Sequence, residues 1–242
     1  MAGHTAHFES WVVRAPDESL WDRSQHALDL MFVVLAAPLW VPVLLLVMTL
    51  KVLAEGRPVL FHHIRLGRAG RPFVLYKIRT TTPGFEPRPD DWSDETFPPR
   101  TPFGNWLRRF DLDELPQLWN VLKGDMSLVG PRPEMPLHSE AFSLAIPDYA
   151  NRLAVRPGLT GLAQVRGWRG NTSIHQRLRA DLEYIGRRGP GAYLAILLKT
   201  VAVQLRHARA NSRRAKTFPE AECPATRPRA PYKPCPPDGS CD

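Results

Sequence analysis

The hydrophobic pattern changes character along the chain. Residues 1–29 are a mostly polar lead, with a weak helical pattern from Leu20 to Leu28. From Leu30 to Leu50 the run "LMFVVLAAPLWVPVLLLVMTL" carries no charge. As a straight helix it would be about 31 Å long, close to the ~30 Å of a bilayer's hydrocarbon core. Strand-forming residues then fill Val59 to Leu66 and Phe73 to Arg79, on either side of "GRAGR". That predicts a β-hairpin with a glycine-containing turn. Helical spacing follows at about 103–109, 114–123, 136–153 and 174–186. The segment from Ala192 to Arg209 is apolar on one side and basic toward its end. It suits either an amphipathic helix lying on a bilayer or a core helix. Prolines crowd 83–102, a predicted surface loop, and the stretch 210–242, a predicted disordered tail. The fold class is therefore α+β and helix-dominated, with one small β-hairpin.

The membrane segment has two internal prolines, Pro38 and Pro42. Each removes a backbone donor and crowds the preceding turn. A bent helix that dips in and returns and a kinked spanning helix both satisfy this pattern. A cleaved signal peptide does not fit, because the run is too long and starts late. Lys51, Arg57, Arg65 and Arg68 follow it and assign that end to the cytoplasm.

Charge narrows the chemistry. The 242-residue chain has a net charge of +8, mostly from arginine, which suits anionic partners. Its three cysteines, Cys223, Cys235 and Cys241, sit near the C-terminus without zinc-ligand spacing. No glycine-rich nucleotide loop is present, which argues against a kinase or ATPase. The informative window is "RRFDLDELPQLWNVLKGDMSLVGPRPE". Pro116 belongs in the first turn of a helix, so Asp113 and Glu114 fall at its N-terminal end. Acids there ordinarily act as caps, and Asp111 or Asp113 has the right position for one. The flanking Arg108, Arg109 and Arg132 point elsewhere. Ionised acids, a divalent cation and arginines together make a phosphoryl-transfer site, one carboxylate attacking phosphorus and the other holding Mg²⁺.

"RLGRAGRPFVLYKIRT", "LRRFDLDELPQLWNVLKGDMSLVGPRPE" and "VRPGLTGLAQVRG" resemble, in that order, segments of the bacterial sugar transferases, or monotopic phosphoglycosyl transferases. The resemblance extends through "RADLEYI" and "LAILLKT" and covers about residues 25 to 205. It implies transfer of a phosphosugar from a UDP-sugar to a polyprenyl phosphate with loss of UMP. That reaction initiates exopolysaccharide, capsule, O-antigen or glycoconjugate synthesis. By the same resemblance Asp113 is the nucleophile of an aspartyl-phosphosugar intermediate. Glu114 binds Mg²⁺, and Arg108, Arg132, Lys77 and Arg79 meet substrate phosphate. Asp181 matches a further acid of the family pattern. Residues 30–50 become a re-entrant helix, with Ala37-Pro38 where the family carries Ser-Pro, and 51–209 the catalytic domain on the cytoplasmic face of the inner membrane. The stretch from Arg156 to Gly167 is expected to face substrate. Nucleic acid is not an expected partner; a homodimer stays open. The alternatives are a metal-dependent nucleotide-sugar hydrolase on the same residues and an arginine-rich binder of anionic lipid or nucleic acid.

Overall fold

The computed structural model describes residues 19–82, 100–169 and 172–217, with side chains to 206. The cysteines and most of the proline-rich loop and tail lie outside those residues. Helix α1 (Leu20–Leu35) opens with a capping box: the Asp22 amide donates to Ser19 Oγ and the Ser19 amide donates to the Asp22 carboxylate. The chain breaks at Ala36, and α2 (Ala37–Glu55) starts with Pro38 in its first turn. The expected single bent helix is thus a helix pair. Pro38 supplies the break, while Pro42 is carried inside α2.

Strands β1 (Leu60–Leu66) and β2 (Pro72–Ile78) form the expected antiparallel hairpin, in register from Leu60 opposite Ile78 to Leu66 opposite Pro72. Helix α3 (Pro102–Arg109) is capped by Thr101, whose hydroxyl accepts from the Gly104 amide. A 3-10 turn over Leu112–Glu114 follows, and then α4 (Gln117–Leu122). The helix expected over 136–153 divides into α5 (Pro136–Ala145) and a 3-10 turn over Tyr149–Ala154. Pro147 disfavours helical backbone at Ile146, and Asp148 turns left-handed at φ 63°. Two short strands escaped the sequence reading: β3 (Ser127–Val129) and β4 (Gly158–Thr160) pair in parallel. Helices α6 (Leu162–Val165), α7 (Ile174–Arg187) and α8 (Pro190–Thr217) complete the described chain. The helical backbone of α8 passes the expected tail boundary at 210, since no proline or glycine interrupts it there.

The helix pair is built into this body. Gln25 of α1 donates to Ser127 Oγ and the Val129 carbonyl, and Asp29 accepts from the Leu128 amide and the Tyr193 hydroxyl. Val33 packs with Phe73, Leu75, Val121 and Met126. Val47 of α2 packs with Ile78 and Leu107. By contrast Leu35, Leu39, Leu45, Leu46 and Leu53 are exposed.

The β3–β4 pair depends on two glycines facing each other. A Cβ on Gly158 would stand 2.0 Å from the Gly130 nitrogen, inside any tolerated contact. Gly158→Ala is therefore expected to destabilise the protein by about 3 kcal/mol, read by chemical denaturation. It should also lower activity, because Gly130 lies two residues before Arg132.

Candidate active site

The dyad sits in a tight reversal. Asp111 adopts left-handed backbone at φ 52°, and the 3-10 turn then presents Asp113 and Glu114 before Pro116 leads into α4. Neither Asp111 nor Asp113 makes a side-chain cap bond, so the capping expectation fails. Lys77 arrives from β2, whose backbone is fixed against α4 by a buried side chain: Asn120 Nδ2 donates to the Val74 carbonyl at 2.7 Å, and the Tyr76 amide donates to Asn120 Oδ1 at 3.2 Å. Arg132 follows β3, held between Pro131 and Pro133.

These groups treat the two acids differently. Arg132 Nη2 donates to Glu114 Oε1 at 2.5 Å and Nη1 to Oε2 at 3.3 Å, a bidentate pair. Lys77 Nζ donates to the same Oε1 at 2.7 Å. Asp113 is only 4% exposed, yet no hydrogen bond reaches its carboxylate from the described residues; Lys77 Nζ stands 4.0 Å away. Burial raises the Asp113 pKa, the Lys77 charge pulls it back, and repulsion from Glu114 adds to the rise, leaving it above the ordinary value. Burial also opposes ionisation of Glu114. Arg132 and Lys77 outweigh it and hold this carboxyl far below the usual range. Neighbouring acids with divergent affinities for protons are equipped for different tasks.

Asp113 and Glu114 open onto a cavity of about 540 Å³, shared with Arg108, Asp111, Arg132, Thr160, Gln164 and Arg169. Its remaining walls are largely leucine, from Leu115, Leu118, Leu128, Leu159 and Leu197. A smaller cavity of about 130 Å³ lies on the other side of Arg132, among Arg65, Arg152, Arg169 and Arg177. The family model described as "Bacterial sugar transferase" matches residues 21–207. The chain belongs to the bacterial sugar transferase family.

This transferase is 44% identical over 185 residues to a UDP-glucose:undecaprenyl-phosphate glucose-1-phosphate transferase of Caulobacter vibrioides, covering 74% of this chain and 69% of that protein. A protein of the same description from Escherichia coli is 39% identical over 165 residues, 66% of this chain but 36% of that one. A UDP-N-acetylgalactosamine-undecaprenyl-phosphate N-acetylgalactosaminephosphotransferase of Aeromonas hydrophila is 35% identical over 179 residues, 73% of this chain and 42% of its own.

Of the residues expected at the transferase's site, the structure gathers Lys77, Arg108, Asp113, Glu114 and Arg132. It does not bring in Arg79. That guanidinium is buried and donates to the carbonyls of Pro58, Thr81, Glu55 and Gly56. It closes the C-terminal end of α2, where helix carbonyls lack partners. Asp181 lies one layer behind the cluster: it accepts from Arg152 Nη2 at 2.8 Å, and that same nitrogen donates to the Arg132 carbonyl at 2.9 Å. Within Arg156 to Gly167, Leu159, Thr160 and Gln164 reach the cavity wall. Arg152, Arg169 and Asp111 were missed; their partners are distant in sequence, and no local pattern marks them.

Proposed function

We propose that this chain transfers a phosphosugar from a UDP-sugar to a polyprenyl phosphate, with Asp113 as the nucleophile. The reading rests on the split dyad, a buried carboxylate that no donor among the described residues reaches beside one bound by two cations. The names of the relatives supply the donor and acceptor classes. Asp113 Oδ attacks the sugar-bearing phosphorus, and the bond from that phosphorus to the bridging oxygen breaks. UMP leaves with the electron pair, and an aspartyl phosphosugar remains. A polyprenyl phosphate oxygen then attacks the same phosphorus, freeing the carboxylate and forming the diphosphate. Desolvation leaves Asp113 reactive, while Arg108, Arg132 and Lys77 neutralise charge around it.

Glu114 would be the protein ligand of a magnesium ion, which would take the place of one of its contacts to Arg132 or Lys77. Among the described residues no group of three or more His, Cys, Asp or Glu could hold a metal. Mg²⁺ is commonly held by one or two carboxylates with substrate phosphate oxygens completing its shell. When bound, the ion would offset the charge of the donor diphosphate. Glu114, kept ionised at every physiological pH by Arg132 and Lys77, is the side chain suited to it.

We further infer a re-entrant, monotopic attachment to the inner membrane, with the catalytic body in the cytoplasm. In support, Gln25 and Asp29 near one end of the helix pair and Glu55 at the other end all contact the same body. Between them Leu35, Leu39, Leu45, Leu46 and Leu53 stand exposed, apolar side chains that suit a bilayer better than water. Reporter tags at both termini are therefore expected to be reached from the cytoplasm; a periplasmic N-terminus would overturn this topology.

The activity test is UMP release from a panel of UDP-sugars with and without polyprenyl phosphate. Acceptor-dependent UMP with a polyprenyl-diphosphate product is expected; free sugar phosphate formed without acceptor would identify a hydrolase instead. The pH profile gives a second check. A protonated Asp113 cannot attack, so the rate of adduct formation falls as pH drops through its raised pKa. Lys77→Met removes the charge that restrains this rise. It is expected to move the acid limb to higher pH, a shift that a purely structural lysine would not produce.

A further inference from the structure

A third cavity, outside the charged cluster, lies beside α8. It measures about 310 Å³ and is lined by Arg109, Phe110, Thr200, Val201, Gln204 and Leu205. Thr200 and Gln204 also line the catalytic cavity, so these two side chains border both spaces. We propose that this groove carries the first isoprene units of the acceptor's hydrocarbon chain as it leaves the catalytic cavity. The inference rests on the phosphosugar-transferase reading above and assigns its lipid substrate a path.

The combined space has the layout of an amphiphile. One end holds Arg108 and Arg132 beside Asp113; the walls leading away are Leu115, Leu118, Leu128, Leu159 and Leu197. The groove beyond has Phe110, Val201 and Leu205 on its surface, 39%, 58% and 54% exposed. Arg109 lays its guanidinium over the Phe110 ring, 5.9 Å from the centroid, and the two neutral polar residues are turned to other duties. The Thr200 hydroxyl donates to the Ile196 carbonyl at 2.8 Å and meets the Thr160 hydroxyl at 2.8 Å. The Gln204 amide donates to the Asp111 carboxylate, which also accepts from Arg169 Nη1 at 3.1 Å. What remains facing the groove is mostly carbon. A UDP-sugar offers no apolar chain to cover such a surface, whereas the phosphate of a polyprenyl phosphate must reach Asp113 with its chain attached. An anionic head in the cluster and an apolar tail over Thr200 and Gln204 satisfy both ends.

The test uses the full chain in detergent micelles, where bilayer docking plays no part. Val201→Glu places a charge in the groove, and Val201→Trp fills it; both act at a half-exposed position outside the catalytic cavity. Each variant is assayed with a long polyprenyl phosphate and with a short prenyl phosphate, and the donor-only adduct is read by intact mass. Both variants are expected to raise KM for the long acceptor about tenfold or more, with the short acceptor and the adduct unchanged. Unchanged kinetics with both acceptors, or equal losses with both, would overturn the groove assignment. The first outcome would leave Val201 as a bilayer-facing or solvent-facing residue. A wild-type protein that forms neither adduct nor product would instead strike the transferase reading itself.

Discussion

Asp113→Asn is expected to leave the fold intact and remove transfer by about 10⁴-fold or more. The amide has the shape of the carboxylate but no anionic oxygen to attack phosphorus. The fold should tolerate it for a reason visible in the site. Asp113 is buried, accepts no hydrogen bond from the described residues, and is repelled by Glu114. Neutralising it removes an unfavourable charge, so the unfolding temperature should hold or rise. Glu114→Gln should behave in the opposite way, since Arg132 and Lys77 would each lose an ionised partner. Incubation with donor alone should give the wild-type chain the mass of one phosphosugar and the Asp113→Asn chain none. Turnover by the asparagine variant, with deamidation excluded by mass, would end the nucleophile assignment. A fall in stability equal to that of Glu114→Gln would show that Asp113 is held as an ion-pair partner.

Much of this site was legible in the sequence because its members sit next to strong local punctuation. Pro116 fixes the helix start and so places the dyad, while Pro131 and Pro133 hold Arg132. The hairpin was equally plain, from strand-forming residues on either side of the glycine-containing "GRAGR" turn. What stayed hidden depends on contacts between distant segments. Lys77 and Arg79 look alike on paper, being two residues apart and both basic. Lys77 belongs to β2 and meets the dyad, whereas Arg79 lies past the strand end and meets the unpaired carbonyls of α2. Which cation goes where is set by the packing of α2, through Val47, against Ile78 and Leu107. The β3–β4 pair is three residues a side, too short for periodicity to register. Asn120 reads as an ordinary helical polar residue, yet it completes the hydrogen bonding of a strand. The division of α5 from the following turn was within reach, because Pro147 marks it.

Asp181→Ala is expected to cost about 3–5 kcal/mol of stability and also to lower kcat at temperatures where the variant is still folded. Asp181 and Arg152 have side chains only 3% and 6% exposed, and their ion pair spans 2.8 Å. Removing the acid takes from a buried guanidinium its shortest ion-pair partner. Glu134, 3.6 Å from Arg152, offsets part of the loss, which places the expected value toward the lower end. The catalytic effect has a separate route. Arg152 donates to the Arg132 carbonyl as well as to the Tyr149 hydroxyl, so a displaced Arg152 releases the backbone of the arginine that grips Glu114. Replacing both partners separates the two effects. Arg152→Met with Asp181→Leu leaves no stranded charge, and Glu134 keeps Arg65, His138 and Arg177 nearby. The double variant should regain most of the lost stability, measured by denaturant titration, while kcat stays low because the Arg132 carbonyl still lacks its donor. Recovery of both together would mean that Asp181 serves the fold alone. Loss of kcat in Asp181→Ala without loss of stability would instead place this carboxylate in contact with substrate.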